Sequence, residues 1–184
     1  MELRTKRLIL REFREDDWQA VLSYQSNPLY LRYYEWTERK PDEVQAFVRV
    51  FLDQQIEIPR IKYQFAIELK QSGALIGNCG IRKEFAEAVE AEIGFELDPE
   101  FWGCGYATEA TAEMVKLGFK TFGVTRISAS CIAENIGSAR VLEKLGMKEK
   151  ERIRENKTFK GRTWDTLVYT VSAYHWATTT EKAT

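Results

Sequence analysis

The chain has 184 residues, 44% hydrophobic and 30% charged, with few Gly (11) and Pro (4), which suits one globular domain and excludes collagenous, disordered and low-complexity chains. Lysines and arginines (27) balance aspartates and glutamates (28) to a formal net charge of −1, so no basic excess is present to neutralise a nucleic-acid backbone. The apolar runs are too short to span a membrane or drive secretion, and three cysteines (Cys79, Cys104, Cys131) without metal-ligand spacing fit a reducing, cytoplasmic setting with no membrane or nucleic-acid partner.

Lys6 to Phe13 reads as a first strand, with Leu8 and Leu10 on one face and Ile9 on the other. Asp16 and Asp17 then suit a helix start, Trp18, Val21, Leu22 and Tyr24 give an apolar face, and Asn27-Pro28 stops the helix. A second helix is predicted from Pro41, where Asp42 and Glu43 favour the positive end of the dipole and Val44, Phe47, Val48, Phe51 and Leu52 recur at helical spacing. From Lys62 the period changes to two, with Tyr63, Phe65, Ile67 and Leu69 alternating with polar residues. A turn at Gln71-Ser72-Gly73, a strand from Ala74 to Arg82 and another from Ala88 to Asp98 complete an antiparallel meander closed by Pro99.

After the loop Glu100–Gly105, the segment from Tyr106 to Phe122 reads as a helix, and Thr125 to Ile132 as a strand. Asn135 caps a helix from Ile136 to Leu145, which Gly146 ends in a left-handed conformation. Met147 to Arg154 and Thr163 to Trp176 are the last strands, joined by a polar turn around Lys160-Gly161. The order β-α-α-β-β-β-α-β-α-β-β, without repeat or linker, predicts one α+β domain over residues 1–176, with a mixed, mostly antiparallel sheet flanked by helices. Residues 177–184 are expected to form a flexible tail.

The chemistry concentrates where a strand runs through Gly103 and Gly105 into a helix that begins with small residues. Loop amides then converge with the unsatisfied N–H groups of the helix start, and glycines let an anion approach the backbone. A tight turn before a helix is the alternative. The dinucleotide fingerprint is excluded, because Thr108 stands where Gly or Ala is required and the preceding strands form a meander rather than a βαβ unit. No Gly-Lys-Ser/Thr follows at the spacing of a nucleoside-triphosphate loop, which leaves a diphosphate ligand of another kind. A single histidine, His175, does not supply a multi-histidine metal site, and no metal is expected.

Several separated motifs together resemble the GNAT superfamily of acetyl-CoA-dependent N-acetyltransferases, in its Rim-type (ribosomal-protein-alanine) branch. They are Thr5-Lys-Arg-Leu-Ile-Leu-Arg-Glu12, Leu75-Ile-Gly-Asn-Cys-Gly80, Ala91-Glu-Ile-Gly-Phe95, Phe101-Trp-Gly-Cys-Gly-Tyr-Ala-Thr-Glu-Ala110, Glu134-Asn135 with Ser138, and Glu143-Lys-Leu-Gly-Met147, spread over residues 3 to 176. The resemblance implies that the loop Trp102, Gly103, Cys104, Gly105, Tyr106, Ala107, Thr108 cradles the pyrophosphate of CoA through its amides. Gly105 and Ala107 match the last two fixed positions of the family pattern Gln/Arg-x-x-Gly-x-Gly/Ala, whereas Trp102 stands where Gln or Arg is usual. It further implies that the strand Glu92–Leu97, with Phe95 and Leu97, pairs with the pantetheine arm as another strand would. Asn135 and Ser138 are expected to contact the same arm.

The implied reaction is direct attack of an amine on the thioester, with Glu92 as candidate base and an exposed strand carboxylate as its alternative reading. Leu142 occupies the position where many family members place a thiolate-protonating Tyr, so Ser138, one helical turn earlier, is the candidate donor. A mid-helix serine and a capping asparagine are the plain readings of Ser138 and Asn135. Tyr33, Tyr34 and Trp36 are candidate acceptor-wall residues, or packing of a loop. Glu109 complements the helix dipole, and Lys144 is either surface charge or a contact to the CoA 3′-phosphate. The expected acceptor is a protein N-terminal α-amine; a small amine, amino acid or antibiotic, and a non-catalytic acyl-CoA-binding sensor, are the alternatives. The protein is expected to be a monomer or homodimer.

Overall fold

A computed structural model of the chain describes residues 1–180. One sheet of eight strands organises it: β1 (Glu2–Arg4), β2 (Leu8–Glu12), β3 (Lys62–Leu69), β4 (Leu75–Arg82), β5 (Glu90–Leu97), β6 (Arg126–Ile132), β7 (Lys148–Phe159) and β8 (Arg162–Ser172). Their spatial order is β1-β2-β3-β4-β5-β6-β8-β7, and every neighbouring pair is antiparallel except β5 and β6. Helices α1 (Trp18–Gln25), α2 (Pro28–Leu31), α3 (Pro41–Gln55), α4 (Tyr106–Lys120), α5 (Ile136–Lys144) and α6 (Ala173–Thr180) surround it. The expected single α+β domain with a mixed, mostly antiparallel sheet is what forms.

The period-two alternation on β3 sorts the core into two layers. Phe65 and Ile67 join Leu8, Leu10, Ile93, Ile127 and the α4 residue Met114 on one face. Ala66 joins Val21 of α1 and Val44 and Val48 of α3 on the other. Each buried aliphatic side chain contributes roughly 1.5–3 kcal/mol, so the two layers pin α4 and the α1–α3 unit to opposite faces. At Gly118 a β-carbon would lie 2.7 Å from Ile81 Cδ1 and 2.8 Å from Ile127 Cδ1, so α4 sits so close to the sheet that a side chain there would require both isoleucine ends to shift.

Four boundaries differ from expectation. Glu2–Arg4 form an additional short strand on β2, too brief for alternation to reveal. Asn27 does not simply stop α1: its side chain accepts from the Leu29 amide at 3.0 Å and caps the one-turn helix α2, with Pro28 at the first position where it lacks nothing. Strand β7 runs on to Phe159 because bulges along its pairing with β8 absorb the polar stretch read as turn. The last strand ends at Ser172 rather than Trp176; Ser172 Oγ accepts from the His175 amide at 3.3 Å, and Trp176 packs on Phe119, so the chain expected to fray from Ala177 is helical to Thr180. Residues 181–184 of the expected tail lie outside the described residues.

Strand β7 is exposed along nearly its whole length and, among the described residues, has no strand on its outer side. Among the described residues, no helix is long and apolar enough to cross a membrane.

Candidate active site

Strands β5 and β6 pair only over Glu90–Glu92 against Arg126–Ser128. Beyond that the strands part. Phe95, Glu96 and Leu97 line one side of the resulting gap and Ser130, Cys131 and Ile132 the other. The gap opens into a cleft of about 940 Å³ whose further walls are the loop from Phe101 into α4, the start of α5, and Leu29–Tyr34. A parallel pair must be joined by a crossover, here α4, and the crossover brings the loop before α4 to the carboxyl end of β5, beyond the paired residues.

The loop is shaped to offer donors. Gly103 (φ +76°) and Gly105 (φ +80°) adopt left-handed conformations, and Gly105 is the N-terminal cap of α4. Among the described residues nothing accepts a hydrogen bond from the amides of Gly103, Cys104 or Gly105, and the first-turn amides of α4 have no intrahelical partners. Such a set of free donors at a helix start fits a phosphate group. Gly103, Gly105, Tyr106, Ala107 and Thr108 line the cleft, as do Asn135 and Ser138. Trp102 also lines it, but its indole N–H donates to Leu97 O at 2.8 Å, so that donor is spent on joining loop to strand. Cys104 does not line the cleft; its side chain is exposed and its carbonyl accepts from Arg7 Nη1 at 2.9 Å. Arg140 and Lys144 of α5, both exposed, also line the cleft, with no ion pair among the described residues.

The sequence-expected base is elsewhere. Glu92 sits where β5 and β6 are still paired, outside the cleft lining, and is bound by Arg82 through both carboxylate oxygens at 3.1 and 3.0 Å. Two carboxylates line the cleft: Glu134, whose Oε1 is paired with Arg162 at 2.8 Å, and Glu96, four residues beyond Glu92 along the same strand and on the same face. Glu96 Oε1 accepts from Tyr24 Oη (2.6 Å), Asn78 Nδ2 (2.6 Å) and Gln25 Nε2 (3.0 Å), while Oε2 accepts from Tyr30 Oη (2.6 Å), and the Tyr34 hydroxyl also lies close to the carboxylate. One lone pair of Oε2 is left for a group in the cleft. Burial first, and then the neighbouring Glu96 charge, push the Tyr24 and Tyr30 phenols well above their ordinary range, so both remain hydrogen-bond donors to Glu96 at any working pH.

Tyr33 and Tyr34 line the cleft, and Tyr33 Oη donates to Glu134 O at 2.9 Å. Trp36 does not reach it. Its ring stacks on Tyr34 at 4.9 Å and under Arg39 at 4.6 Å, and Arg39 in turn holds Gln25 Oε1 at 2.9 Å, so Trp36 braces the Glu96 network from behind. Asn135 Oδ1 caps α5 through the Ser138 amide at 3.1 Å, which leaves its amide N–H₂ for a ligand. Leu142 is buried in the core. Cys131 faces the cleft, but burial pushes its thiol up to about 11, so it stays protonated and is no nucleophile. Among the described residues, no group of three or more His, Cys, Asp and Glu is arranged to hold a metal ion.

Comparison with known proteins agrees with this geometry. The model of the acetyltransferase (GNAT) domain family matches residues 7–148. The uncharacterized N-acetyltransferase YnaD of Bacillus subtilis is 32% identical over 176 residues, covering 96% of this chain and 99% of that protein. A GNAT-family acetyltransferase from Bacillus anthracis superposes with a TM-score of 0.81 at 28% identity, covering 94% and 98% of the two chains. The ribosomal-protein-S5-alanine acetyltransferase of Vibrio fischeri shares the fold, with a TM-score of 0.78 at 18% identity over 96% and 98%.

Proposed function

The chain belongs to the GNAT acetyltransferase family and is an acetyl-CoA-dependent N-acetyltransferase, and on that premise we propose that its acceptor is the N-terminal α-amine of a polypeptide. The observation that carries the reading is Glu96, a carboxylate immobilised by four donors in the wall of the cleft with one lone pair unspent. A carboxylate is a weak base. It matches an α-amine, whose ordinary pKa near 8 leaves about a tenth of it neutral at pH 7, far better than a lysine amine near 10.4. The resemblance to the ribosomal-protein-alanine branch supports the same acceptor.

Acetyl-CoA supplies an activated acetyl thioester. In this reading its diphosphate lies on the free amides of Gly103–Gly105 and the first turn of α4, its pantetheine arm takes the unpaired β6-side edge of β5 at Phe95–Leu97, and Arg140 and Lys144 meet its phosphates. Glu96 Oε2 takes one proton from the entering ammonium and releases it to water, so that a neutral nitrogen bonds to the carbonyl carbon. As the carbon–sulfur bond breaks, Ser138 donates a proton to the leaving sulfur and is reprotonated, through water, by the second proton that the nitrogen sheds. Tyr33 and Tyr34 flank the entering amine, while Asn135 holds an amide of the arm.

Steady-state rates from pH 6 to 9.5 test this, using a peptide with a free N-terminus, the same peptide N-acetylated but carrying a lysine, and a diamine. The free α-amine should be the preferred acceptor. Glu96→Gln should lower its kcat by roughly 10² at pH 7, with the loss shrinking as alkaline solvent delivers more neutral amine. Preference for the lysine or the diamine would overturn the acceptor, and full activity of Glu96→Gln at pH 6 would overturn the role of the carboxylate.

A further inference from the structure

The conspicuous Thr5-Lys-Arg7 motif takes no part in the chemistry above, yet it makes a dense set of contacts with the phosphate loop, about a hundred residues away in the chain. Glu109, in the first turn of α4, accepts from Thr5 Oγ1 (2.6 Å) and the Arg7 amide (2.8 Å) through Oε1, and from Arg7 Nε (2.6 Å) through Oε2. The guanidinium so held donates from Nη1 to Cys104 O at 2.9 Å and lies 4.3 Å over the Tyr106 ring. Its Nη2 comes within 3.5 Å of the point where a β-carbon on Gly105 would stand. One side chain thus grips the residues before and after the left-handed joint that starts α4.

Cys104 C=O and Gly105 N–H belong to one peptide unit. In a trans peptide the two point in opposite directions. Arg7 and Cys104 lie outside the cleft lining while Gly105 lies in it, so drawing the carbonyl outward to Arg7 turns the Gly105 N–H toward the cleft. We propose that Arg7, anchored by Glu109 and Thr5, is a positioning residue that fixes the Cys104–Gly105 peptide with its N–H aimed at the diphosphate of acetyl-CoA. The inference rests on the reading of the loop as the diphosphate site. Burial opposes the charged form of Glu109, but the hydrogen bonds from Thr5 and Arg7 outweigh it and hold the carboxyl below its ordinary range, so the anchor is an anion under all working conditions.

The sign of one effect separates positioning from simple charge. Removing a carboxylate near a phosphate site should tighten anion binding if only charge matters. If Glu109 acts by holding Arg7, Glu109→Ala should instead weaken acetyl-CoA binding by calorimetry about tenfold, and Arg7→Ala by at least as much. The KM for acetyl-CoA should rise in step while kcat and the KM for the amine stay within about twofold, and Glu109→Asp should recover part of the loss. A merely structural contact would lower the melting temperature and leave the dissociation constant of the folded protein unchanged. Unchanged or tighter acetyl-CoA binding in Glu109→Ala would overturn the proposal. Wild-type binding that 3′-phospho-ADP fails to displace would instead overturn the diphosphate reading on which it stands.

Discussion

The two ends of the cleft are made of different material. At the loop end the groups that face a ligand are backbone amides, presented by two left-handed glycines and the start of α4. At the acceptor end they are side chains, with Glu96 held by Tyr24, Gln25, Tyr30 and Asn78 from α1, α2 and β4. A backbone site depends on conformation and is indifferent to most side chains, so Trp102, at a position where the family pattern has Gln or Arg, leaves the backbone donors of the loop in place. A side-chain site depends on identity, so single atoms should matter there.

The largest effect expected from this contrast is at Gly105. Gly105→Val puts a branched side chain at φ +80° beside the loop amides, and acetyl-CoA affinity should fall about a hundredfold or more, measured by calorimetry on protein whose circular dichroism is unchanged. Wild-type affinity would mean the loop is only a turn. A smaller and differently distributed effect is expected at Tyr30, which donates to Glu96 Oε2. Tyr30→Phe should reduce kcat about tenfold, the scale of one hydrogen bond to a charged group, with acetyl-CoA affinity unaltered. An equal loss of acetyl-CoA affinity would show that the two ends are not independent. The smallest effect is expected at Glu92, half-exposed and paired with Arg82: Glu92→Gln should leave kcat within about twofold across pH 6 to 9.5. A loss at acid pH that fades at alkaline pH would return the base to Glu92.

The same contrast explains what could be read from the chain. The loop was legible because glycine spacing, a helix start and a preceding strand are local features, and the two-layer core was legible because alternation on β3 and helical spacing on α3 are local too. Glu96 was not. Glu92 and Glu96 sit on one face of one strand, and the sequence does not say where β5 parts from β6, which is what puts the second carboxylate in the cleft and leaves the first outside it. The partners of Glu96 come from positions 66 to 72 residues away on helices α1 and α2, and 18 away on β4, distances over which periodicity carries no information. Tyr24 reads as part of the apolar face of its helix, and Tyr30 lies in one aromatic run with Tyr33, Tyr34 and Trp36, so spacing marks neither as the partner of a carboxylate on β5. Arg7 and Glu109 were visible as motif members, but their contact at a separation of 102 residues was not.

The outer side of β7 bears on self-association. A long unpaired edge strand is a template on which another copy of the chain can add its own strand and so begin a polymer. Eight of the twelve residues of β7, Lys148–Phe159, are charged, with lysine, arginine and glutamate in close succession. A strand docking there would have to desolvate those charges without partners arranged to match them, and the bulges that bend β7 away from straight register spoil the ladder further. The sheet therefore has two unpaired edges of opposite character: the one inside the cleft, where the proposed reading lays an extended ligand, and the outermost one, whose charges and bulges oppose open-ended assembly.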